Sequence, residues 1–169
     1  HLVFSTQSGI LEVTRNDGLL EMDFPSRPPE QIEVTELMEN ALGVPIMEAH
    51  LSRDMILVLQ TEKDVYEAVP DLDIVSKIPG CVNLIITAQG READFVSRYF
   101  TPGISIPEDP VTGSAHSSLI PFWAKRLGKE KLTAHQLSKR GGILYCEDKG
   151  DRVKISGNAI LYLAGEIYL

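Results

Sequence analysis

The sequence is short of cysteine and of positive charge, and each shortage narrows the field. It has only two cysteines, Cys81 and Cys146. Each sits in an apolar stretch and reads as a small buried hydrophobe. Two are too few for the disulfide framework of a small secreted domain. The net charge is −8, the wrong sign for gripping a phosphate backbone, so no nucleic-acid partner is expected. No apolar run approaches the roughly 18 residues of a membrane helix, so no membrane partner is expected either. The start, His1-Leu2-Val3-Phe4, reads as a strand and not as a basic segment followed by an apolar one. A cytoplasmic location is therefore expected. The first residue is not Met, which implies that other residues precede it. Histidines at 1, 50, 116 and 135 lack metal-ligand spacing. Neither a dinucleotide fingerprint nor a phosphate loop is present.

What is there is ordinary for a globular chain. The 169 residues are 43% apolar and 24% charged, enough for one good core or two small lobes. Strands are predicted at 3–6, 10–13 and 19–24, with turns at Gln7-Ser8-Gly9 and Asn16-Asp17-Gly18. This meander is too small to stand alone. Three prolines between Pro25 and Pro29 mark a stiff connection and a lobe boundary. A helix is predicted over 30–42, with Gly43 closing it. A strand follows at 55–60, short helices at 62–69 and 71–78, and strands at 82–88 and 94–100. A loop over 101–112 leads to a helix over 113–127, which contains Pro121 and ends at Gly128. Strands at 136–138, 143–146, 152–156 and 159–168 complete the chain. The order strands, helix, strands, helix, strands implies an α+β fold, with antiparallel sheet wrapped on a long helix.

The informative segment runs from Tyr99 to His116. Thr112-Gly113-Ser114 opens a helix, whose first-turn N–H groups lack internal partners and carry the positive end of the helix dipole. Gly113 leaves room for close approach, and Thr112 and Ser114 add hydroxyls, so a carboxylate or phosphate fits here. Glu108 and Asp109 lie just before it, placed to handle a proton on carbon next to a bound carboxylate. Asp and Thr are also ordinary helix caps, and that plainer reading stands beside the functional one. Arg98 can pair with a substrate carboxylate or serve as a surface charge. His116 can face the site or solvent. Gly-Ser-Ala-His-Ser lacks the flanking glycines of a nucleophile elbow, which disfavours a hydrolase built on Ser114.

At this loop the sequence resembles a known family. Ser97-Arg98-Tyr99-Phe100-Thr101-Pro102 leads to Glu108-Asp109-Pro110-Val111-Thr112-Gly113-Ser114-Ala115-His116. Downstream come Trp123-Ala124, Leu127-Gly128-Lys129, Ser138-Lys139-Arg140-Gly141-Gly142 and Asp151-Arg152-Val153-Lys154-Ile155-Ser156-Gly157. In this order and spacing the series resembles the PhzF-like (phenazine-biosynthesis) family. The resemblance spans essentially the whole chain but only about the last three-fifths of a usual family member.

That resemblance implies a diaminopimelate-epimerase-like fold, in which two lobes each wrap a mixed sheet round a central helix. Residues 1–27 would then be a remnant of an incomplete first lobe and 28–158 the second lobe. Residues 159–169 would be a last strand returning to the first lobe. It implies an isomerase that moves a proton between carbons of a small cyclic or amino carboxylic acid, with no metal and no organic cofactor. Asp109 matches the second-lobe acidic residue, and Gly113 and Ser114 match contacts to the substrate carboxylate. Thr112, Glu108 and Arg98 complete the expected binding set. The family's main acid/base is a first-lobe glutamate, which would precede His1. The expected partners are thus a small carboxylate, an N-terminal lobe of the same protein and a second copy in a homodimer. A non-catalytic half-molecule that binds a small carboxylate or a protein is the alternative.

Overall fold

The computed structural model describes residues 1–7 and 9–167. It opens with a meander of β1 (Leu2–Thr6), β2 (Gly9–Asn16) and β3 (Leu19–Pro25). Asp17 takes φ 49° and Gly18 φ 86°, so the Asn-Asp-Gly turn forms where the sequence places it. Next come β4 (Glu30–Ile32), α1 (Glu36–Leu42), β5 (Glu48–Leu51) and β6 (Met55–Val58). The short helices α2 (Glu62–Glu67) and α3 (Leu72–Val75) lead to β7 (Leu84–Gln89), β8 (Phe95–Phe100) and β9 (Glu108–Asp109). The long helix α4 (Gly113–Leu127) is followed by β10 (Lys131–Gln136), β11 (Gly142–Asp148) and β12 (Arg152–Gly157).

The strands form one mixed sheet in the order β1-β2-β3-β12-β11-β10-β8-β7-β6-β5-β4, with β9 added on β8. Only β6/β7 and β8/β10 are parallel among the described residues. Parallel neighbours need a crossover. One crossover carries α2 and α3, the other α4, and they lie on opposite faces. On the first face Leu57, Leu84, Ile86, Val96 and Phe100 pack among α1–α3. On the other, Ile56, Ile85, Phe95, Tyr99 and Ile155 surround α4 through Leu119, Ile120 and Trp123. Alternate residues of the same strands therefore build two different cores, as the period-2 geometry requires.

Three expectations need correction. The strand predicted over 136–138 runs instead over Lys131–Gln136. The predicted helix over 30–42 is a strand, a bend and a shorter helix. Pro28-Pro29 hold the chain extended into β4, and Thr35 caps α1 by accepting the Met38 N–H at 3.4 Å. The strand predicted over 159–168 is absent from residues 159–167, and Tyr168 lies outside the described residues. Ile160, Leu161 and Tyr162 are almost fully exposed. β5 lay in a stretch to which the sequence reading gave no element.

Pro121 does not break α4. It has no N–H, so the Ser117 carbonyl four residues back loses its helical donor. The Arg27 N–H supplies one at 2.9 Å. This bond ties the proline-rich crossing from β3 to β4 against the middle of α4. Trp123, two residues on, stacks on Phe95 at 5.8 Å and donates its indole N–H to Thr87 Oγ1 at 3.0 Å.

His116 is fully buried in this core, and burial pushes its imidazole down to about 4. The folded state therefore favours the neutral ring, while the unfolded chain takes up a proton near the ordinary value of 6.5. A base depressed on folding adds stability that is complete above 6.5 and is lost as pH falls toward 4, at up to about 1.4 kcal/mol per pH unit. Urea unfolding between pH 7 and 5 should show this slope, and His116→Leu should flatten it even if it lowers stability at pH 7. Equal slopes for both proteins would contradict this account.

Candidate active site at the start of helix α4

The strand β9 decides where two adjacent carboxylates go. Its register sets Asp109 opposite Tyr99 and Glu108 opposite Phe100. Tyr99 faces α4 and Phe100 faces the other core, and directly paired residues share a face. Asp109 therefore points to the α4 side and Glu108 to the opposite side. Arg98 shares Glu108's face. Its Nε and Nη2 grip the two Glu108 oxygens at 2.7 and 3.1 Å, and its Nη1 donates to the carbonyls of Val65, Tyr66 and Ala68. The structure thus brings Arg98 and Glu108, both expected at the substrate, to each other. They brace the β8–β9 hairpin against the end of α2.

Asp109, Thr112, Gly113 and Ser114 do converge on the start of α4. The Thr112 hydroxyl donates to Asp109 Oδ2 at 2.7 Å. Thr112 makes no side-chain cap on α4. No acidic side chain lies in the first turn either. The N-terminal N–H groups are left for something else to satisfy.

The buried Gln136, at the end of β10, holds this arrangement. Its Oε1 accepts the Thr112 N–H at 2.8 Å. Its Nε2 donates to the Asp109 carbonyl at 2.8 Å and to Thr112 Oγ1 at 3.1 Å. Ser138 Oγ donates to the Pro110 carbonyl at 2.7 Å and accepts the Gly141 N–H at 3.0 Å. At Gly142 a Cβ would stand 2.5 Å from Val111 Cγ2. The Gly-Gly turn is therefore a close-packed wall of the loop. His116 Nδ1 lies 2.8 Å from the Thr112 carbonyl oxygen. Because that carbonyl only accepts, Nδ1 carries the proton.

Gly113 opens onto a groove of about 800 Å³, lined also by Met22, Val111, Arg140, Leu144 and Ile155. A Cβ on Gly113 would meet Met22 Cε at 3.6 Å and Phe24 Cζ at 4.0 Å, both ordinary contacts. Packing within this chain therefore gives no reason for glycine there, whereas a ligand approaching the helix start does. Ser114, about 100° further round the helix, meets Arg53 Nη2 at 3.0 Å. The sequence reading missed both Gln136 and Arg53. Gln136 carried no signal beyond being polar in a strand. Arg53 sits in Ser52-Arg53-Asp54, a turn-like triplet that becomes legible once β5 is recognised as a strand before it. Cys81 is half-buried and Cys146 buried; burial pushes their thiols up to about 11 and about 12. Neither belongs to this loop. Among the described residues no group of three or more His, Cys, Asp or Glu could hold a metal ion. No helix there is long and apolar enough to cross a membrane.

Gln136→Leu should leave the Thr112 N–H and the Asp109 carbonyl buried without partners, costing about 2–4 kcal/mol. Hydrogen exchange should localise the effect, with Thr112 losing its protection while Leu119 and Ile120 keep theirs. Unchanged Thr112 exchange would contradict the role given to Gln136.

Residues 1–165 match the family model described as phenazine biosynthesis-like protein. An uncharacterized isomerase of Pseudomonas aeruginosa is 46% identical over 99% of this chain, and this chain spans 64% of that relative's length. The crystal structure of a PhzF-family phenazine biosynthesis protein from Enterococcus faecalis superposes with a TM-score of 0.92. It is 47% identical, with 99% of this chain and 65% of the other covered. A Pseudomonas aeruginosa structure described as a predicted epimerase, 18% identical, superposes with a TM-score of 0.61 over 88% of this chain and 59% of the other. That likeness speaks for the fold, which is diaminopimelate-epimerase-like. With the match running through the site loop and nearly the whole length, the chain belongs to the PhzF (phenazine biosynthesis-like) family.

Proposed function

We propose that this chain carries the carboxylate-binding half of an isomerase site that moves a proton between carbons of a small cyclic or amino carboxylic acid. The observation that carries the reading is the α4 start: an uncapped helix N-terminus, a glycine that local packing does not require, and Asp109 held beside them by Thr112. The substrate carboxylate would lie on the N–H groups of Gly113 and Ser114, where the helix dipole favours negative charge. Asp109 would orient or exchange a proton on the neighbouring carbon. Its bond from Thr112 fixes the carboxylate's direction, and proton exchange at carbon needs that alignment. Arg98 and Glu108 would act at a distance, by holding β9 in register.

The principal acid/base, a glutamate by family likeness, would come from a lobe preceding His1. Two features support a covering segment. Leu2, Val3, Phe4 and Ile10 of the meander are all about half exposed or more, and Ile160 to Leu163 project from the end of β12. Leu2 and Phe4 share one face of the meander and Val3 and Ile10 the other, and apolar side chains exposed on both faces are what a covering segment would bury. Residues 1–27 and 159–169 would then pack with that lobe, while 28–158 form the lobe around α4. The relatives' greater length leaves room for such a segment.

The test uses the full-length protein in D₂O, with cyclic and amino carboxylic acids screened by NMR for deuterium appearing on carbon. At least one acid should exchange, and Asp109→Asn should slow that exchange about a hundredfold or more. Gly113→Ala should leave the protein as stable or slightly more so yet weaken binding of the acid. Exchange unaffected by Asp109→Asn, or binding unaffected by Gly113→Ala, would overturn the reading.

A further inference from the structure

Arg53 lies at the tip between β5 and β6, and its Nη2 is the busiest donor near α4. It reaches Asp54 Oδ2 at 2.8 Å, Ser114 Oγ at 3.0 Å and Tyr99 OH at 3.4 Å. Nη2 has two hydrogens, so the two shorter bonds, to Asp54 and Ser114, take them. Behind it Asp54 is buried, with its other oxygen accepting from Asn83 Nδ2 at 2.9 Å. The guanidinium is thus fixed by a charge-assisted bond to a carboxylate that is itself fixed. Burial and the Asp54 carboxylate push the Tyr99 phenol up to about 12, so it stays neutral beside them.

The consequence falls on Ser114. Its oxygen accepts from Arg53, so its own proton must point elsewhere, and that proton has no acceptor among the described residues. The same holds for Arg53 itself. Its side chain is 45% exposed, and its Nε and Nη1 have no acceptor among the described residues. Arg98 is the contrast within the same molecule. Only 13% exposed, it spends Nε, Nη1 and Nη2 alike on Glu108 and backbone carbonyls, as a purely structural arginine does.

We infer that Arg53 is a positioning residue that orients the Ser114 hydroxyl toward a carboxylate at the start of α4 and makes the site prefer a carboxylate to its uncharged amide. The inference rests on the carboxylate-binding reading above and adds a residue to it. Arg53 polarises the serine by donating to its oxygen, which strengthens the O–H as a donor along the chain of bonds. Asp54 balances the guanidinium's charge, so the preference for an anion is exerted through the Ser114 O–H, which bonds a carboxylate more strongly than a neutral amide.

The probes are benzoate and benzamide, a carboxylate and an uncharged amide of the same ring, titrated calorimetrically into the full-length protein. The unaltered protein should bind benzoate more tightly than benzamide. Arg53→Met and Ser114→Ala should each lower benzoate affinity about tenfold and leave benzamide nearly unchanged. The double variant should lose little more than either single one, because both act through one bond. If Arg53→Met does not fold, Arg53→Lys serves. It keeps a cation on Asp54 but loses the planar fork, and should show a smaller loss confined to benzoate.

Benzoate binding lowered by Ser114→Ala but untouched by the Arg53 variant would remove Arg53 and leave the site reading standing. An additive double variant would show that Arg53 acts independently of Ser114, which also overturns the inference. Equal binding of benzoate and benzamide, unmoved by either substitution, would remove the site reading and Arg53 together.

Discussion

The site depends on one buried amide. Gln136 accepts from the Thr112 N–H and donates to the Asp109 carbonyl and the Thr112 hydroxyl. A buried amide is tolerated only when its polar atoms are partnered, and each bond that satisfies Gln136 also fixes one part of the strand-to-helix loop. Because Gln136 holds the Thr112 hydroxyl as acceptor, that hydroxyl has its proton free for Asp109. The same orientation turns its oxygen to Gln136, and it makes no cap on α4. The open helix terminus and the oriented carboxylate therefore have the same cause. β10 is the strand parallel to β8, so the crossover through α4 returns the chain beside the strand that it left and delivers Gln136 to the loop.

The strand geometry then separates charges that the sequence leaves side by side. Glu108 and Asp109 are neighbours, and a strand of only two residues sends them to opposite faces. One is absorbed by Arg98 and the carbonyls at the end of α2. The other stays near α4. The helix itself is held from both sides, by Trp123 on Phe95 and Thr87 and by the Arg27 N–H on the carbonyl that Pro121 leaves without a donor. Rigid placement of this kind is what a site acting by position and electrostatics requires.

Much of this was legible in the residues. The Asn-Asp-Gly turn, the bounds of α4 and its Gly128 stop, and the buried runs of β6 and β7 follow from local chemistry. The loop motif pointed to the family and to the α4 start. What was not legible depended on competition or distance. Ile32 fits a helical stripe and a strand equally, and Pro28-Pro29 decided for the strand. Which of Glu108 and Asp109 faces α4 depends on pairing with β8, which a single sequence does not display. Arg53 lies 61 residues from Ser114 and Gln136 lies 24 from Thr112, so neither could be assigned to the site by spacing. Arg98 pairs with Glu108 on the face of the hairpin away from α4, which its place on the strand next to the loop does not display.

The most direct measurement is an NMR titration of the full-length protein, selectively labelled with ¹⁵N-glycine and ¹⁵N-serine, against a small cyclic carboxylate such as benzoate. An anion seated on the first turn of α4 must hydrogen-bond to its N–H groups and shift them. The account predicts saturable shifts led by the Gly113 and Ser114 amides, with Gly43 and Gly128, at the ends of α1 and α4, left in place. Shifts that bypass Gly113 and Ser114, or none at saturating ligand, would contradict it.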